Sequence, residues 1–260
     1  MRNLHKTQTC KINRWVKYFI LAFLLFSCNS NQKVRILLIG DSTMADKPNP
    51  EENPERGWGQ MLPNFFDQNV IIKNFAVNGR STKSFIDENR WAAVLSELRD
   101  GDYLFIQFGH NDQKYKDSLR YTNPFTGYRR NLIRFVKESR DKGGIPVLFS
   151  SIVRRNFNEY GVLEDTHGAY PFIAREVANE LNVPFIDLQL KSEDLVLSLG
   201  RKKSKEIYLW VKPGEYPMYP DGKQDNTHFS AKGAKEMARL AVEGIKENGL
   251  ALRKFIKTNP

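Results

Sequence analysis

Five apolar runs constrain this chain more than any other feature: Val34 to Ile39, Val70 to Val77, Tyr103 to Phe108, Ile145 to Ile152 and Val183 to Leu188. The first, Val-Arg-Ile-Leu-Leu-Ile, is nearly continuous rather than alternating, as a strand buried on both faces of a parallel sheet requires. Helical periodicity fills the gaps at Gly59 to Phe66, Trp91 to Leu98, Tyr128 to Arg140 and Tyr170 to Leu181. A last helix is expected from Ala231 to Ile256, broken near Gly249. Strands alternating with helices predict a three-layer α/β/α sandwich around a five-stranded, mostly parallel sheet. Ligands of such sheets bind outside the carboxyl ends of the strands.

With 260 residues the chain suits one domain and a short leader. Residues 1–28 carry Arg2, Lys6, Lys11, Arg14 and Lys17, no acid, and then the apolar run Tyr18 to Phe26. That run is short for a bilayer span and reads as a signal sequence. It ends in Leu25-Phe26-Ser27-Cys28, which resembles the bacterial lipobox, so Cys28 is the expected lipidated residue. A tether over 29–33 and a single folded domain over 34–260 are expected to follow. The expected location is the cell envelope, anchored through the lipid on the periplasmic face of a membrane, with ordinary secretion as the alternative. Asn29 to Gln32 contain no acidic run that would signal surface export. Cys10, the other cysteine, leaves with the leader, so no disulfide is expected.

The formal net charge is +10. The leader takes five basic residues and no acid, which leaves 35 basic against 30 acidic residues. These charges are dispersed and no nucleic-acid motif accompanies them, so no nucleic-acid partner is expected, while a polyanionic substrate fits.

Four polar islands carry the chemistry: Gly40-Asp41-Ser42, Asn78-Gly79-Arg80-Ser81-Thr82, Gly109-His110-Asn111-Asp112 and Asp225-Asn226-Thr227-His228. The first three follow predicted strands and fall on one sheet edge. The fourth is placed in the loop before the last helix, next to a Pro- and Gly-rich connection, Val211 to Gln224, expected to be an ordered loop near the site. Ser42, just after a glycine at a strand end, can present a hydroxyl nucleophile; it could equally cap a helix. Asp225 and His228, three apart, can let a carboxylate orient an imidazole towards that hydroxyl, or can form a plain surface turn. Gly79 permits close approach of a backbone N–H to an oxyanion, and Asn111 can aim its amide at the same point. Turn-forming roles serve both as well. Gly-x-Ser-x-Gly is absent, which argues against an α/β-hydrolase nucleophile elbow. His167 is expected to be solvated in a polar loop.

In this order the islands resemble the four blocks of the SGNH, or GDSL, hydrolase superfamily. The resemblance implies Ser42 as nucleophile, Gly79 and Asn111 as oxyanion-hole partners of the Ser42 N–H, and Asp225 and His228 as the rest of a triad. It also implies the flavodoxin-like SGNH hydrolase fold and no cofactor or metal. Gly-Asp-Ser-Thr-Met-Ala, Gly-Trp-Gly-Gln, Asn-Gly-Arg-Ser-Thr, Phe-Gly-His-Asn-Asp and Asp-Asn-Thr-His-Phe-Ser are similar to strings of the rhamnogalacturonan acetylesterase branch in particular. The expected substrate is therefore an acetylated polysaccharide, most simply acetylated rhamnogalacturonan. Arg80, Trp58 and His110 are assigned to substrate binding, and Lys83, Lys114, Lys116, Arg120, Arg154 and Arg155 supply further positive charge near the strand ends. Lys114 to Gly127 reads as a variable insertion. Alternatives are an acetylxylan esterase, a lysophospholipase or thioesterase of the same superfamily, a metallophosphoesterase using Asp41, His110, Asn111, Asp112, Asp225 and His228, and a non-catalytic glycan-binding lipoprotein.

Overall fold

The computed structural model describes residues 33–258. The leader, Cys28 and tether residues 29–32 lie outside the described residues. In chain order the elements are β1 (Val34–Gly40), β2 (Glu55–Arg56), α1 (Trp58–Met61), β3 (Val70–Asn74), α2 (Thr82–Asp87), α3 (Arg90–Glu97), β4 (Tyr103–Gln107), α4 (Arg129–Asp141), β5 (Ile145–Phe149), α5 (Ala169–Glu180), β6 (Phe185–Ile186), α6 (Leu188–Lys203), β7 (Tyr208–Val211), β8 (Lys223–Ser230) and α7 (Ala231–Glu247). Short 3-10 turns at Leu62–Phe65, Ser204–Glu206 and Ala251–Phe255 extend or follow helices.

The main sheet has the order β3-β1-β4-β5-β6, and every pairing in it is parallel. Its middle strand pairs in register Ile36 with Tyr103 through Gly40 with Gln107. Ile36 and Leu38 enter one hydrophobic cluster with Trp58, Phe105, Phe149 and α7 residues Met237, Ala238 and Ile245. Leu37 and Ile39 enter the other with Trp91, Leu104, Ile106, Phe135, Ile173 and Val177. Successive residues of one strand are thus buried on opposite faces, which is why the run is apolar without alternation. Each fully buried side chain of this size contributes about 1.5–3 kcal/mol.

Helices α1, α6 and α7 cover the first face, and α2 to α5 the second. The last helix breaks as the sequence indicates, at Gly249 with φ +64°. Two features differ from expectation. A helix at 188–203, interrupted at Gly200 (φ +68°), follows β6. A second, antiparallel sheet, β2-β8-β7, stands beside the first, so the Asp225–His228 island lies on a strand, not in a free loop. The Val211 to Gln224 connection is the β7–β8 hairpin, closed by a bond from Gly214 N–H to the Pro220 carbonyl at 2.9 Å.

Candidate active site

Ser42 sits in the turn that follows β1. The carboxylate of Asp41, fully buried, organises this turn: its Oδ1 accepts from the Thr43 N–H at 2.9 Å and the Thr43 hydroxyl at 2.8 Å, and its backbone carbonyl accepts from Ala45 N–H at 3.0 Å. The Gly57-Trp58-Gly59 segment closes over the same turn. A Cβ on Gly57 would stand 2.2 Å from the Ala45 carbonyl oxygen, so no other residue fits there. Burial by itself would raise the Asp41 pKa, but the charge and hydrogen bond of His110 and the Thr43 donors outweigh it and hold the acid at about 2.

β8 delivers the imidazole through an irregularity. Tyr208 pairs with Phe229 and Leu209 with Asp225, so Asn226 to His228 are left out of register between two consecutive residues of β7. Such bulges re-aim side chains. This one is pinned from behind: the Asn226 carbonyl accepts from Arg155 N–H at 2.9 Å, and its Oδ1 accepts from Arg155 Nη1 at 3.0 Å and Trp210 Nε1 at 2.9 Å. His228 Nε2 then lies 2.8 Å from Ser42 Oγ, and its Nδ1 lies 2.8 Å from Asp225 Oδ2. Asp225 Oδ1 accepts from the backbone N–H groups of Thr227 at 2.7 Å and His228 at 3.0 Å. Burial opposes its ionisation, yet the His228 ring and these backbone donors hold its pKa well below the carboxylate range. An ionised acceptor on Nδ1 keeps the proton there and leaves Nε2 free to accept from the serine.

The second island is tied to the serine turn through Lys47, which bonds both the Ser42 carbonyl and Asn78, and the third is tied to the second. Gly79 has φ +76°, a conformation that costs a side-chain-bearing residue strain. Asn111, buried, donates from Nδ2 to the Arg80 carbonyl at 3.1 Å; an amide nitrogen has two hydrogens, so the second remains available. Asp112 ties the two islands together from below. It accepts from the Thr82 N–H at 3.1 Å, the Thr82 hydroxyl at 2.5 Å and the Thr122 hydroxyl at 2.7 Å. Its complete burial, with no cation against it, outweighs these hydroxyl donors and lifts its pKa to about 6.

Several assignments made from sequence need correction. Trp58 is fully buried between the sheet and α7, donating from Nε1 to Gln107 Oε1 at 2.8 Å, and cannot touch a substrate. His110 is also buried: Nδ1 lies 3.1 Å from Asp41 Oδ2 and Nε2 3.0 Å from the Ile152 carbonyl, so it braces the serine turn. His167 is not solvated but 2 % exposed, its ring edge-on to His110 at 4.7 Å, and burial pushes its pKa down. Arg80 needs no such correction: it stays partly exposed beside the Gly79 turn, with its Nε on Glu88 at 2.8 Å and Nη1 on the Asn78 carbonyl at 2.8 Å. The metal-ligand alternative loses its geometry, since His110 is used by Asp41 and His228 by Asp225, and no group of three or more such side chains converges among the described residues.

One residue escaped the sequence reading. Lys47 is buried and donates to the Ser42 carbonyl at 2.8 Å and Asn78 Oδ1 at 2.5 Å, with Glu55 Oε1 at 2.9 Å. It joins the serine turn, the Gly79 turn and the small sheet that carries His228. Its position in the polar stretch 46–56 gives no local pattern to read.

A serine hydroxyl, an imidazole and an ionised carboxylate in one hydrogen-bonded line can attack an acyl group. Residues 38–236 match the model of the GDSL-like Lipase/Acylhydrolase family. The rhamnogalacturonan acetylesterase RhgT of Bacillus subtilis is 46% identical over 220 residues, covering 85% of this chain and 93% of that protein. The uncharacterized lipoprotein YqeF of the same organism is 26% identical over 92% of this chain and all of its own length. Among solved structures, the protein YxiM of B. subtilis superposes with a TM-score of 0.70 at 26% identity, covering 84% of this chain and 58% of that one. From the family match, the fold and the relatives together, the chain belongs to the GDSL-like lipase and acylhydrolase family and is a carboxylic ester hydrolase.

Proposed function

We propose that this enzyme removes O-acetyl groups from rhamnogalacturonan by acyl transfer through Ser42. The observation that carries the mechanism is the 2.8 Å approach of His228 Nε2 to Ser42 Oγ, continued by the 2.8 Å contact of Nδ1 with Asp225. The substrate assignment rests on the 46% identity to RhgT over nearly the whole of both proteins.

Ser42 Oγ attacks the acetyl carbonyl as its proton passes to His228 Nε2. The oxyanion is received by the N–H groups of Ser42 and Gly79 and the second Nδ2 hydrogen of Asn111. As the tetrahedral intermediate collapses, His228 returns the proton to the leaving sugar hydroxyl, which departs and leaves acetyl-Ser42. Water, deprotonated by the same imidazole, then releases acetate and restores the serine. Asp225 stays ionised throughout and stabilises the imidazolium.

The export signal and the lipobox-like Cys28 support anchoring at the cell envelope, on the periplasmic face, and the similarity to a lipoprotein agrees with it. Replacement of Cys28 by alanine should release soluble protein or stall processing; unchanged membrane association would contradict lipidation. The substrate is tested by acetate release from a panel of acetylated polysaccharides at matched acetyl concentration. Acetylated rhamnogalacturonan should be turned over fastest, and faster release from acetylated xylan would overturn the substrate while leaving the ester chemistry intact.

A further inference from the structure

One cation beside the third island makes no ion pair among the described residues, and Asp41, Asp165 and Asp225 act on it only from longer range. Arg154 lies between two of the islands: its Nη2 donates to the carbonyl of His110, the neighbour of Asn111, at 3.3 Å, and the next residue's N–H bonds the Asn226 carbonyl in the bulge that carries His228. Its other contacts are the Thr166 hydroxyl at 3.1 Å and the Thr166 carbonyl at 3.3 Å, both from Nη1. All three acceptors are neutral, and no carboxylate of the described residues lies within ion-pair distance. Two of the five guanidinium N–H donors, on Nε and Nη2, remain unused.

Lys114 begins the segment after the third island, with its backbone N–H on the Asn111 carbonyl at 3.2 Å. Its ammonium has neither an acceptor nor a carboxylate partner among the described residues. Burial, then the charges of Arg120 and Arg154, lowers its pKa against the opposing charges of Asp41 and Asp117, so Lys114 lies within reach of both guanidinium groups. Arg120 closes the arc over the second island: its Nη1 lies 3.7 Å from the point a Cβ on Gly79 would occupy. It alone is neutralised, by Asp117 at 2.5 Å. Arg80, the obvious cation from sequence, is already matched by Glu88.

We propose that Lys114 and Arg154, with Arg120 at their edge, form a carboxylate-binding subsite beside Ser42 that takes a uronate of the acetylated polymer. The inference rests on the substrate reading above and adds the group that selects it. An arriving carboxylate relieves the repulsion between the two unpaired cations and fills the free edge of Arg154 with a paired hydrogen bond that a neutral hydroxymethyl group cannot supply. The subsite therefore discriminates acidic from neutral glycans.

The test compares acetylated rhamnogalacturonan oligosaccharides with the same material after reduction of its carboxyl groups to primary alcohols. For Lys114→Met the ratio of kcat/KM on the acidic to that on the reduced substrate should fall about 5- to 10-fold, and a similar fall is expected for Arg154→Lys, which keeps the charge and loses the fork. Lys114 makes no side-chain hydrogen bond, so its replacement reads binding without disturbing the fold. An unchanged ratio, or an equal loss on both substrates, overturns the subsite. A second measurement is independent of the polymer's being a substrate: unacetylated oligogalacturonate should inhibit aryl-acetate hydrolysis competitively, with a Ki raised by the same factor in Lys114→Met. Inhibition that is absent, or equal in wild type and variant, also overturns the subsite. If wild-type enzyme releases acetate from neither polymer, the substrate reading fails, and the inhibition data alone decide the subsite.

Discussion

The ammonium of Lys47 donates to the carbonyl oxygen of Ser42 at 2.8 Å from a position that is 1 % exposed. Its remaining partners, Asn78 and Glu55, belong to the Gly79 turn and to β2. A single buried cation therefore fixes the relative position of the nucleophile turn, the oxyanion turn and the small sheet that supplies His228.

Replacing Lys47 by methionine strands the Glu55 carboxylate, and breaking a buried pair from one side costs about 3–5 kcal/mol. The urea midpoint should fall accordingly. Adding Glu55→Gln to Lys47→Met should recover part of the loss, whereas Glu55→Gln alone should destabilise the wild type. Additive losses in the double variant would show that the pair is not coupled.

Asp112 gives a pH signature to stability. Its folded pKa of about 6 lies above its ordinary value of 3.8, so the folded state holds the proton more tightly. This contribution is complete below about pH 4 and is lost as pH rises through 6, at most about 3 kcal/mol. Asp41 runs the other way: held at about 2, it stabilises above pH 4 and loses that contribution as pH falls through 2. His167, its pKa pushed down by burial, gains stability as pH rises towards 6.5, so the Asp112 contribution is read as a difference: in thermal unfolding, the stability of the wild type relative to Asp112→Asn should fall by up to about 3 kcal/mol between pH 4 and 6.5. A pH slope identical in the variant would contradict that assignment.

Trp58 is a core residue, so its substitution should register in folding. In Trp58→Phe the ring area is largely kept, but Gln107 Oε1 loses its indole donor and retains only the longer Thr43 contact at 3.3 Å. A loss of about 1–3 kcal/mol in urea unfolding is expected. A rise in KM with an unchanged unfolding midpoint would restore Trp58 to the substrate-binding surface.

Asn111→Ala should lower kcat about 10^2- to 10^3-fold with little change in KM, because its free amide hydrogen acts only once the oxyanion forms. A pure KM effect would mean that Asn111 binds the ground-state ester. Asp225→Asn should cost about 10^4-fold, since an amide in that position favours the wrong imidazole tautomer.

The main sheet was legible because its inner strands β1 and β4 are buried on both faces and their apolar runs state this directly: Leu37 and Leu38 point to opposite clusters and are equally inaccessible. The site was legible where its residues stand in short strings at strand ends. The second sheet was not, because β8 reads Lys-Gln-Asp-Asn-Thr-His-Phe-Ser and buries only Phe229. α6 was missed because its leucines are spread around the helix, with Leu190 and Leu197 both more than half exposed. Trp58 and His110 were misread for a different reason: aromatic and imidazole groups near an active serine suit a sugar or a brace equally well, and only burial distinguishes them. Lys47 finds its partner Asn78 across 31 positions, a contact that no local pattern encodes.

The central claim is that Ser42 is the nucleophile and His228 its base. A serine-reactive phosphonate, followed by peptide mapping, tests it most directly. The account predicts one adduct, on Ser42, formed in step with loss of activity, absent in Ser42→Ala and slowed by about 10^4-fold in His228→Ala, with the double variant hardly worse in turnover than either single one. An adduct on another residue, or labelling of Ser42 at the wild-type rate in His228→Ala, would contradict it.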